Sequence, residues 1–600
     1  MSKAKEFYVE EKNKNEELSK KIQKEISSIG YLRLLDFVVG LLVSIYIYYI
    51  NMKVLSMGIT VIWIGAFVYL VKAHQKAIDK KRRIDTVIEI NNKGIARLEG
   101  KWKEFQDDGK EFSDAEHPFC DDLDLFGKSS LFQWINSCAT YMGRLSFVQY
   151  LKKPVNDINL IKNRQQAVKE LAANVRWRQK INAEALMISD KSKDPTELIK
   201  WAENQEKISE GILTKLIVVI CPLITIAASF LLAFNSKFSY KYFLVIILLD
   251  AIILKIDSKN RNAILDTVMQ YKKDLKLYFN MIKYVEDEEF KNDYLGKLKK
   301  GIYINDVKAS KIIGELSGIV DYVSDRYNMG YIIINIIFMW DYRVISMLEN
   351  WKANYGKELA RWFDIIGEFE AISSLSNIAF ENEDWCFPEV KDKGAIFKAA
   401  NLGHPLLGDK RVRNNFDMES EGSVVLITGS NMSGKTTFLR TIGINLVLSY
   451  TGAPACAENM STIFMDLYTC MRISDNLEKS ISSFYAEILR IKDIVSAAKK
   501  ENGNTIFFLL DEIFKGTNSI DRHQGATVLI KQLSGLKANG LVSTHDLELA
   551  DLENTMGKLK NYHFQEYYDK DELKFDYKLR KGVSTTRNAM HIIKLAGIEI

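Results

Sequence analysis

Proline is scarce, with 7 in 600 residues, against an average near 5%. With the commonest helix breaker so rare, a chain that is 47% hydrophobic and 26% charged is expected to be mostly helical and to hold several domains. Tracts of Pro, Gly or Ser do not recur, which excludes collagen-like and low-complexity classes, and the apolar content excludes a wholly disordered chain. The six cysteines (Cys120, Cys138, Cys221, Cys386, Cys456 and Cys470) include no CxxC pair. Neither a zinc site nor a disulfide framework is indicated, and a reducing compartment is the default. Charge of one sign is also lacking: 82 Lys and Arg against 77 Asp and Glu leave +5. That is far from the bias of a dedicated nucleic-acid-binding domain, so bulk charge leaves the partner open.

Long apolar runs are few and come in pairs. Leu34 to Ile50 holds one charge, Asp36, and after Asn51-Met52-Lys53 the run Val54 to Val71 holds none. These stretches of 17 and 18 residues, at ~1.5 Å per residue, are near the minimum for a ~30 Å hydrocarbon layer. They predict a helical hairpin. Leu216 to Phe234 is 19 residues without charge, interrupted by Pro222. Its partner, Tyr242 to Leu254, is shorter and carries Asp250, with Lys241 and Lys255 placed to snorkel from its ends. The competing reading, core helices of a soluble protein, weighs most on this fourth segment. The polar stretch ahead of the first run argues against a cleaved signal peptide.

Basic residues follow each hairpin: Lys72, Lys76, Lys80, Lys81, Arg82 and Arg83 after the first, and Lys255, Lys259 and Arg261 after the second. The turns hold only Lys53, and Lys237 with Lys241. By the positive-inside rule this is expected to be a multi-pass cell-membrane protein, with the lipid bilayer as a partner and the amino terminus and all long soluble parts in the cytoplasm. Lys80 to Arg83 reads as the topology signal and a headgroup contact rather than a DNA patch.

From about 256 to 380 the chain is rich in Leu, Ile, Lys and Glu. Ile264, Val268, Tyr271, Leu275, Tyr278, Ile282 and Val285 recur at steps of four and three, which predicts one helical seam, in a coiled coil or in a bundle. Tyr331 to Trp340 is ten residues long, interrupted by Asn335, and is expected to be a buried helix rather than a fifth span.

Near residue 420 short β-branched runs begin to alternate with helical segments, the βαβ pattern of a parallel sheet. Ser423 to Thr428 reads as a buried strand. It leads into Gly429-Ser430-Asn431-Met432-Ser433-Gly434-Lys435-Thr436, a complete GxxxxGK[ST] loop, and then into Thr437-Phe438-Leu439-Arg440. Glycines at both ends let backbone N–H groups curl around phosphate, Lys435 reaches the terminal phosphates, and the Thr436 hydroxyl can bind Mg²⁺. A second strand, Thr505 to Leu510, ends in Asp511 and Glu512. Asp511 is expected to hold Mg²⁺ and Glu512 to orient or deprotonate the attacking water. A third, Leu541 to Thr544, ends at His545, placed to sense the γ-phosphate. The catalytic candidates are thus Lys435, Glu512 and His545. Those for nucleotide binding run from Gly429 to Thr437, and those for metal are Thr436 and Asp511.

At these residues the chain resembles the ATPase domain of the MutS family, within the ABC ATPase superfamily. Thr428 to Thr437 resembles the family's TGPNMxGK[ST]T, Gly452 to Ala457 its G-x-x-V-P-A segment, Ser482 to Glu487 its STFxxE signature, Asp511 to Ser519 its DE[IL]GRGTST, and Ser543-Thr544-His545 its [AS]TH. A weaker likeness to the family's helical core and lever covers Gly143-Arg144-Leu145, Tyr150 to Pro154 and Asn163 to Val168. The resemblance implies an α/β P-loop ATPase domain of the ABC/MutS-like kind, preceded by a mostly α-helical core and lever region that here carries transmembrane hairpins. ATP and Mg²⁺ are the implied cofactors. It also implies a composite site, in which Ser482 or Ser483 of one subunit completes the phosphate loop of another, and so a homodimer through the ATPase domain. Family position puts Val412 and Tyr577 near the adenine, with Val412 standing where relatives place a Phe platform.

The expected layout is a polar segment 1–30, a hairpin 31–72, a helical region 73–212 with the core-like segment, a hairpin 213–256, a helical lever or core 257–395 and the ATPase domain 396–600. The family's mismatch wedge, Phe-x-Glu in an amino-terminal domain, has no counterpart there. The triplet Phe564-Gln565-Glu566 falls inside the ATPase region and reads as a strand. The leading reading is a membrane-anchored MutS-like ATPase that moves helical levers, with DNA left open as a ligand bound without mismatch specificity. A transporter of the ABC class is disfavoured, because no LSGGQ-like signature lies between Lys435 and Asp511; Leu533-Ser534-Gly535 comes after the acidic pair. An ATP-dependent membrane scaffold that never touches DNA is the remaining alternative.

Overall fold

The computed structural model describes residues 2–584 except 51, 188–192, 205, 207–211, 235–237, 325, 327, 473–482, 501–502 and 570–571. The chain forms two compact units, one of Met1–Ile95, Ser137–Ser146 and Asn174–Ala371, the other of Ala96–Asn136, Phe147–Ala173 and Ile372–Ile600. The units are therefore interleaved along the sequence rather than successive. Residues 73–212 contribute to both, and 396–600 shares its unit with two segments far upstream.

The first unit is helical. With no proline before Pro118, α1 (Lys3–Tyr49) and α2 (Lys53–Leu98) each run unbroken through a polar and an apolar half. They pair antiparallel along their length. In the polar halves Ser19 Oγ donates to Asp85 Oδ1 at 2.6 Å. In the apolar halves Gly40 receives the Trp63 indole, where any Cβ would fall 2.0 Å from the ring, and Trp63 Nε1 donates to Asp36 O at 3.0 Å. The outward faces of Leu34 to Ile50 and Val54 to Val71 remain exposed, Ile62 by 73% and Val54 by 90%. After α3 (Val175–Leu186), α4 (Ile212–Phe234) and α5 (Tyr240–Lys255) form a second hairpin. There Asp250 is buried and accepts from Thr225 Oγ1 at 2.6 Å. By length and composition α1, α2 and α4 are each apolar and long enough to cross a membrane. The 16-residue α5 reaches ~24 Å, yet exposes Leu244, Leu248 and Ile252 like the others.

The seam expected on one helix is divided between two, α6 (Ser258–Gln270) and α7 (Lys272–Asp287), because the backbone leaves the helical region at Tyr271 (φ −98°, ψ 10°). From Val268 to Val285 its residues are buried, whereas Ile264 is only half-buried and Leu265 takes its place. The helices belong to a bundle: α7 packs on α3 and on α8 (Ala309–Asp321), and Tyr278 stacks on Phe363 with ring centroids 3.8 Å apart. The expectation of a buried helix over Tyr331 to Trp340 is corrected. The helix α9 is Met329–Phe338, it exposes Ile332, Ile333, Ile334 and Phe338, and a bend of 78° at Met339 (φ 51°) separates it from α10 (Trp340–Tyr355). Periodicity alone did not reveal that Tyr331 turns inward, that Asn335, Ile336 and Ile337 do so in part, and that the rest of the apolar face stays exposed. The bundle closes with α11 (Leu359–Glu381), whose residues to Ala371 belong to this unit.

The second unit is built on two sheets. The smaller has the order β1-β5-β2-β3, from β1 (Glu389–Lys391), β2 (Phe397–Leu402), β3 (Asn414–Met418) and β5 (Asn459–Ile463). The larger has the order β10-β9-β4-β8-β7-β6, from β4 (Val424–Thr428), β6 (Asp466–Cys470), β7 (Ile506–Asp511), β8 (Asn539–Ser543), β9 (Leu559–Asp569) and β10 (Glu572–Lys581). All its pairings are parallel except β9 with β10. Every residue of β4 and β8 is buried, as expected for parallel strands covered on both faces. Helices α12 (Lys435–Thr451), α13 (Ser483–Ala498) and α14 (Ser519–Gly535) connect them. The triplet Phe564-Gln565-Glu566 lies in β9, at an irregularity of the ladder.

Upstream segments are held in this unit by buried charges. Arg97 donates to Glu381 through Nε and Nη2 at 2.9 and 2.6 Å, with both side chains under 10% exposed. Asp122 accepts from Thr469 Oγ1 and from the amides of Met471 and Arg472 at 2.6 to 3.1 Å. Removing one member of a buried pair strands the other. Arg97→Met should therefore cost ~3 kcal/mol of stability, read as a fall in Tm, and adding Glu381→Leu should restore a large part of it. Equal Tm in Arg97→Met and the parent would contradict this account.

Candidate functional site

The carboxyl ends of β4, β7 and β8 meet at one edge of the larger sheet. Their in-register pairing sets Ile427 beside Ser543, and Ser543 beside Asp511, so the turns leaving all three strands begin side by side. From β4 the chain turns at Gly429 (φ 148°) and Gly434 (φ 106°). A side chain at Gly429 would press on Phe564 O and Ser433 Oγ at 2.9 Å, and one at Gly434 on the Tyr577 ring at 3.1 Å. Both positions thus need glycine for conformation and for space.

Within this loop Lys435 is buried and folds back, donating from Nζ to Gly429 O and Ser430 O, each at 2.9 Å. Burial pushes its amine down, a tendency opposed by Glu512 and Asp511. Thr436 Oγ1 donates to Asp511 Oδ2 at 2.6 Å, and Ser543 Oγ to the other oxygen of that carboxylate. Glu512 has φ 50°. Burial pushes its carboxyl up, but the hydrogen bond from Lys515 (Nζ to Oε2, 2.5 Å) and the charges of His545, Lys515 and Lys435 hold it below the usual range. It is ionised at neutral pH. His545 Nε2 lies 2.8 Å from Asn431 Oδ1 and 2.9 Å from Glu512 Oε1. Lys435 Nζ lies 3.3 Å from the same nitrogen, so the ring joins the loop, the carboxylate and the lysine.

The loop borders a cavity of about 450 Å³, lined by Ser430 to Phe438, Glu512 and Phe564, and on a further wall by His404, Val412, Asn414 and Tyr577. Within the described residues the structure thus gathers Lys435, Thr436, Asp511, Glu512 and His545 with the loop Gly429 to Thr437, and sets Val412 and Tyr577 on the same cavity. Ser482 lies outside the described residues, and Ser483 is described only as the start of α13. The same signature segment ends at Glu487, which is buried and accepts from Phe514 N, tying α13 to the turn after Glu512.

Four residues of the site carried no assignment from sequence reasoning. Glu566, buried on β9, accepts from Ser430 Oγ at 3.0 Å. Asn414 donates to Tyr577 O at 3.0 Å and accepts from Leu579 N at 2.9 Å, fixing β10 over the loop. Lys515 and Ser543 hold the two carboxylates. The last two sit inside recognised motifs and were findable there. Glu566 and Asn414 are more than a hundred residues from their partners, and no local pattern marks them.

What binds at this edge is constrained by one hydroxyl without a partner. Ser433 Oγ is buried and makes no protein hydrogen bond, in a loop with left-handed glycines at both ends. This set suits an anion such as a phosphate chain, with the Thr436–Asp511 pair offering two oxygen ligands to a hard divalent cation.

Fold and site together define a class: a helical core combined with an α/β sheet domain whose central strand runs through a glycine loop into a buried helix. Residues 120–376 match the model of MutS domain III and residues 425–599 that of MutS domain V. The chain is similar to a DNA mismatch repair protein MutS of Persephonella marina, 30% identical over 264 residues, 43% of this chain and 30% of that protein. It is similar also to an Endonuclease MutS2 of Carboxydothermus hydrogenoformans, 29% identical over 245 residues, 40% of this chain and 30% of that protein. A DNA mismatch repair protein MutS of Aquifex pyrophilus is 29% identical over 239 residues, 39% of this chain and 27% of that protein. The chain thus spans about 30% of the length of these relatives. The two domain matches and these relatives support a protein of the MutS family.

The cavity wall carries a pH-sensitive group. His404 is pushed down to about 4, first by burial and then by the charges of Arg440 and Arg411, with Asp124 opposing; its Nδ1 accepts from Leu406 N at 3.2 Å. Its folded value lies below the unfolded ~6.5, so the unfolded state binds more protons between the two, and stability falls as pH drops through that window. His404→Asn should flatten this part of the Tm-against-pH curve. An unchanged slope between pH 6.5 and 4 would refute the assignment.

Proposed function

We propose that the protein is a membrane-anchored ATPase of the MutS family. It binds ATP with Mg²⁺ on the loop Gly429–Thr437 and hydrolyses it in a dimer completed by the partner's signature serine, coupling the cycle to movement of the helical region. The observation that carries the reading is the convergence of Lys435, Thr436, Asp511, Glu512 and His545 at one edge of a buried parallel sheet. Mg²⁺ when bound neutralises charge on the phosphate oxygens.

The chain's own groups divide the remaining work. Lys435 exchanges loop carbonyls for phosphate oxygens, and Thr436 and Asp511 offer oxygens to the cation. Glu512, ionised and aimed by His545 and Lys515, accepts a hydrogen bond from the attacking water and orients it. His545 Nε2, within reach of Asn431, Glu512 and Lys435, couples the loop to the carboxylate, so that loop position and water position change together. The exposed apolar faces of α1, α2, α4 and α5 support the anchor, and the basic residues after each hairpin support a cytoplasmic ATPase domain.

Lys435→Ala should lower ATP affinity at least tenfold, whereas Glu512→Gln should bind ATP nearly as the parent does and slow hydrolysis by ~10²-fold or more. Parental ATP affinity in Lys435→Ala would sink the phosphate-loop assignment. Glu512→Gln should also accumulate a dimer in ATP, and a monomer by size analysis would remove the composite site. DNA, if bound by the detergent-solubilised protein, should be held through phosphates, without mismatch preference, and be lost steeply with salt. A mismatched duplex bound tenfold more tightly than its matched control would overturn that. Absence of binding at low salt would favour a membrane scaffold.

A further inference from the structure

The bend between α9 and α10 has a polar interior and an apolar exterior, the reverse of a helix facing water. On the inner side Tyr331 Oη donates to Asp341 Oδ1 at 2.6 Å, Asn335 Nδ2 donates to Asp341 Oδ2 at 2.9 Å, and Asn335 Oδ1 accepts from Asp341 N at 2.9 Å. Arg326 lies 4.0 Å from the same carboxylate and 3.1 Å from Asp266. Both polar side chains of the helix are thus turned onto one buried acid. On the outer side Ile332, Ile333, Ile334 and Phe338 are exposed.

The backbone at the bend is closed with equal care. Arg343 Nε donates to Phe338 O at 3.0 Å, the last carbonyl of α9, and Nη2 donates to Val218 O at 2.9 Å. Val218 stands four residues before Pro222, which has no N–H to offer that carbonyl. One guanidinium therefore satisfies the end of α9 and the proline-broken turn of α4. Trp340 Nε1 donates to Tyr322 O at 3.2 Å. Internal pairing of this kind is what hydrocarbon demands of irregular backbone and water does not.

Position supplies the occupant. Helix α9 packs on both α4 and α5, and its Ile332, Ile333 and Ile334 are exposed, as are Leu244, Leu248 and Ile252 of that hairpin. The first turn of α10 is pinned at the carboxyl end of α5, where Tyr342 Oη approaches Ile253 O and Ile256 O at 3.4 and 3.3 Å and Lys255, Lys259 and Arg261 follow. Ten residues reach ~15 Å, half of a ~30 Å hydrocarbon layer. We propose that α9 is a membrane-embedded half-helix, lying in the acyl chains of the leaflet at the Lys255 end of α5 and not crossing it. This rests on the reading of α4 and α5 as a membrane hairpin.

The test uses the full chain with p-benzoylphenylalanine replacing Ile333, reconstituted into phosphatidylcholine–phosphatidylglycerol vesicles carrying radiolabelled phosphatidylcholine. Phe230 on α4 and Val307, exposed outside the hairpins, are substituted in the same way as controls, and Ile332 provides an independent second position. Irradiation should give lipid adducts at Ile333, Ile332 and Phe230 at least tenfold above Val307. Adducts at Phe230 with none at Ile333 and Ile332 overturn the half-helix and leave the anchor standing. No adduct at any of the three removes both. A crosslink from Ile333 to a second copy of the chain would assign the face to a protein partner and equally overturn the proposal.

Discussion

Burial of β4 on both faces is the constraint from which the site follows. Such burial is the pattern of a parallel sheet covered by helices on both faces; here β8 and β9 pair with β4 directly, and β7 joins through β8 in register. Parallel strands all end at the same edge, and the turns that leave them are thrown together there whatever their distance in sequence. Asp511, 76 residues beyond Lys435, reaches Thr436 by this route and not by any local preference. The glycines at 429 and 434 then let the backbone turn where Phe564 and Tyr577 leave no room for a side chain.

The two units bury acids in the same way, against donors, but differ in the apolar surface they leave exposed. In the second unit, acids are sunk against strands and paired in full: Glu381 with Arg97, Asp122 with two amides and a hydroxyl, Glu566 with Ser430. In the first, charges are kept off the apolar surface. Asp250 and Asp341 are turned inward onto hydroxyl, amide and phenol donors, while leucine and isoleucine face outward over several helices.

Sequence reasoning worked best where chemistry and local geometry coincide. The glycine loop, the acid pair at a strand end and the histidine at the next strand end are each a short motif, and a short motif survives as a unit in any fold that keeps its strand and helix. It did less well where one side of a helix had to be chosen. The stretch Tyr331 to Trp340 read as a core helix because apolar content does not say what covers it. The seam from Ile264 to Val285 read as one helix because its spacing is continuous across Tyr271, although the backbone breaks there.

By itself the sequence determined the parts that depend on covalent neighbours: unbroken helices where proline is missing, the turn between Gly429 and Lys435, the apolar runs and the basic residues that follow them. Tertiary structure alone decided which distant groups meet. The partnership of Ser430 with Glu566, the hold of Asn414 on the strand that carries Tyr577, the membership of Ala96–Asn136 in the unit of the large sheet, and the reach of Arg343 to Val218 on α4 all join residues separated by tens to hundreds of positions. Such contacts arise from the packing of whole elements, and the pattern that would announce them is spread over surfaces that exist only once the chain has folded.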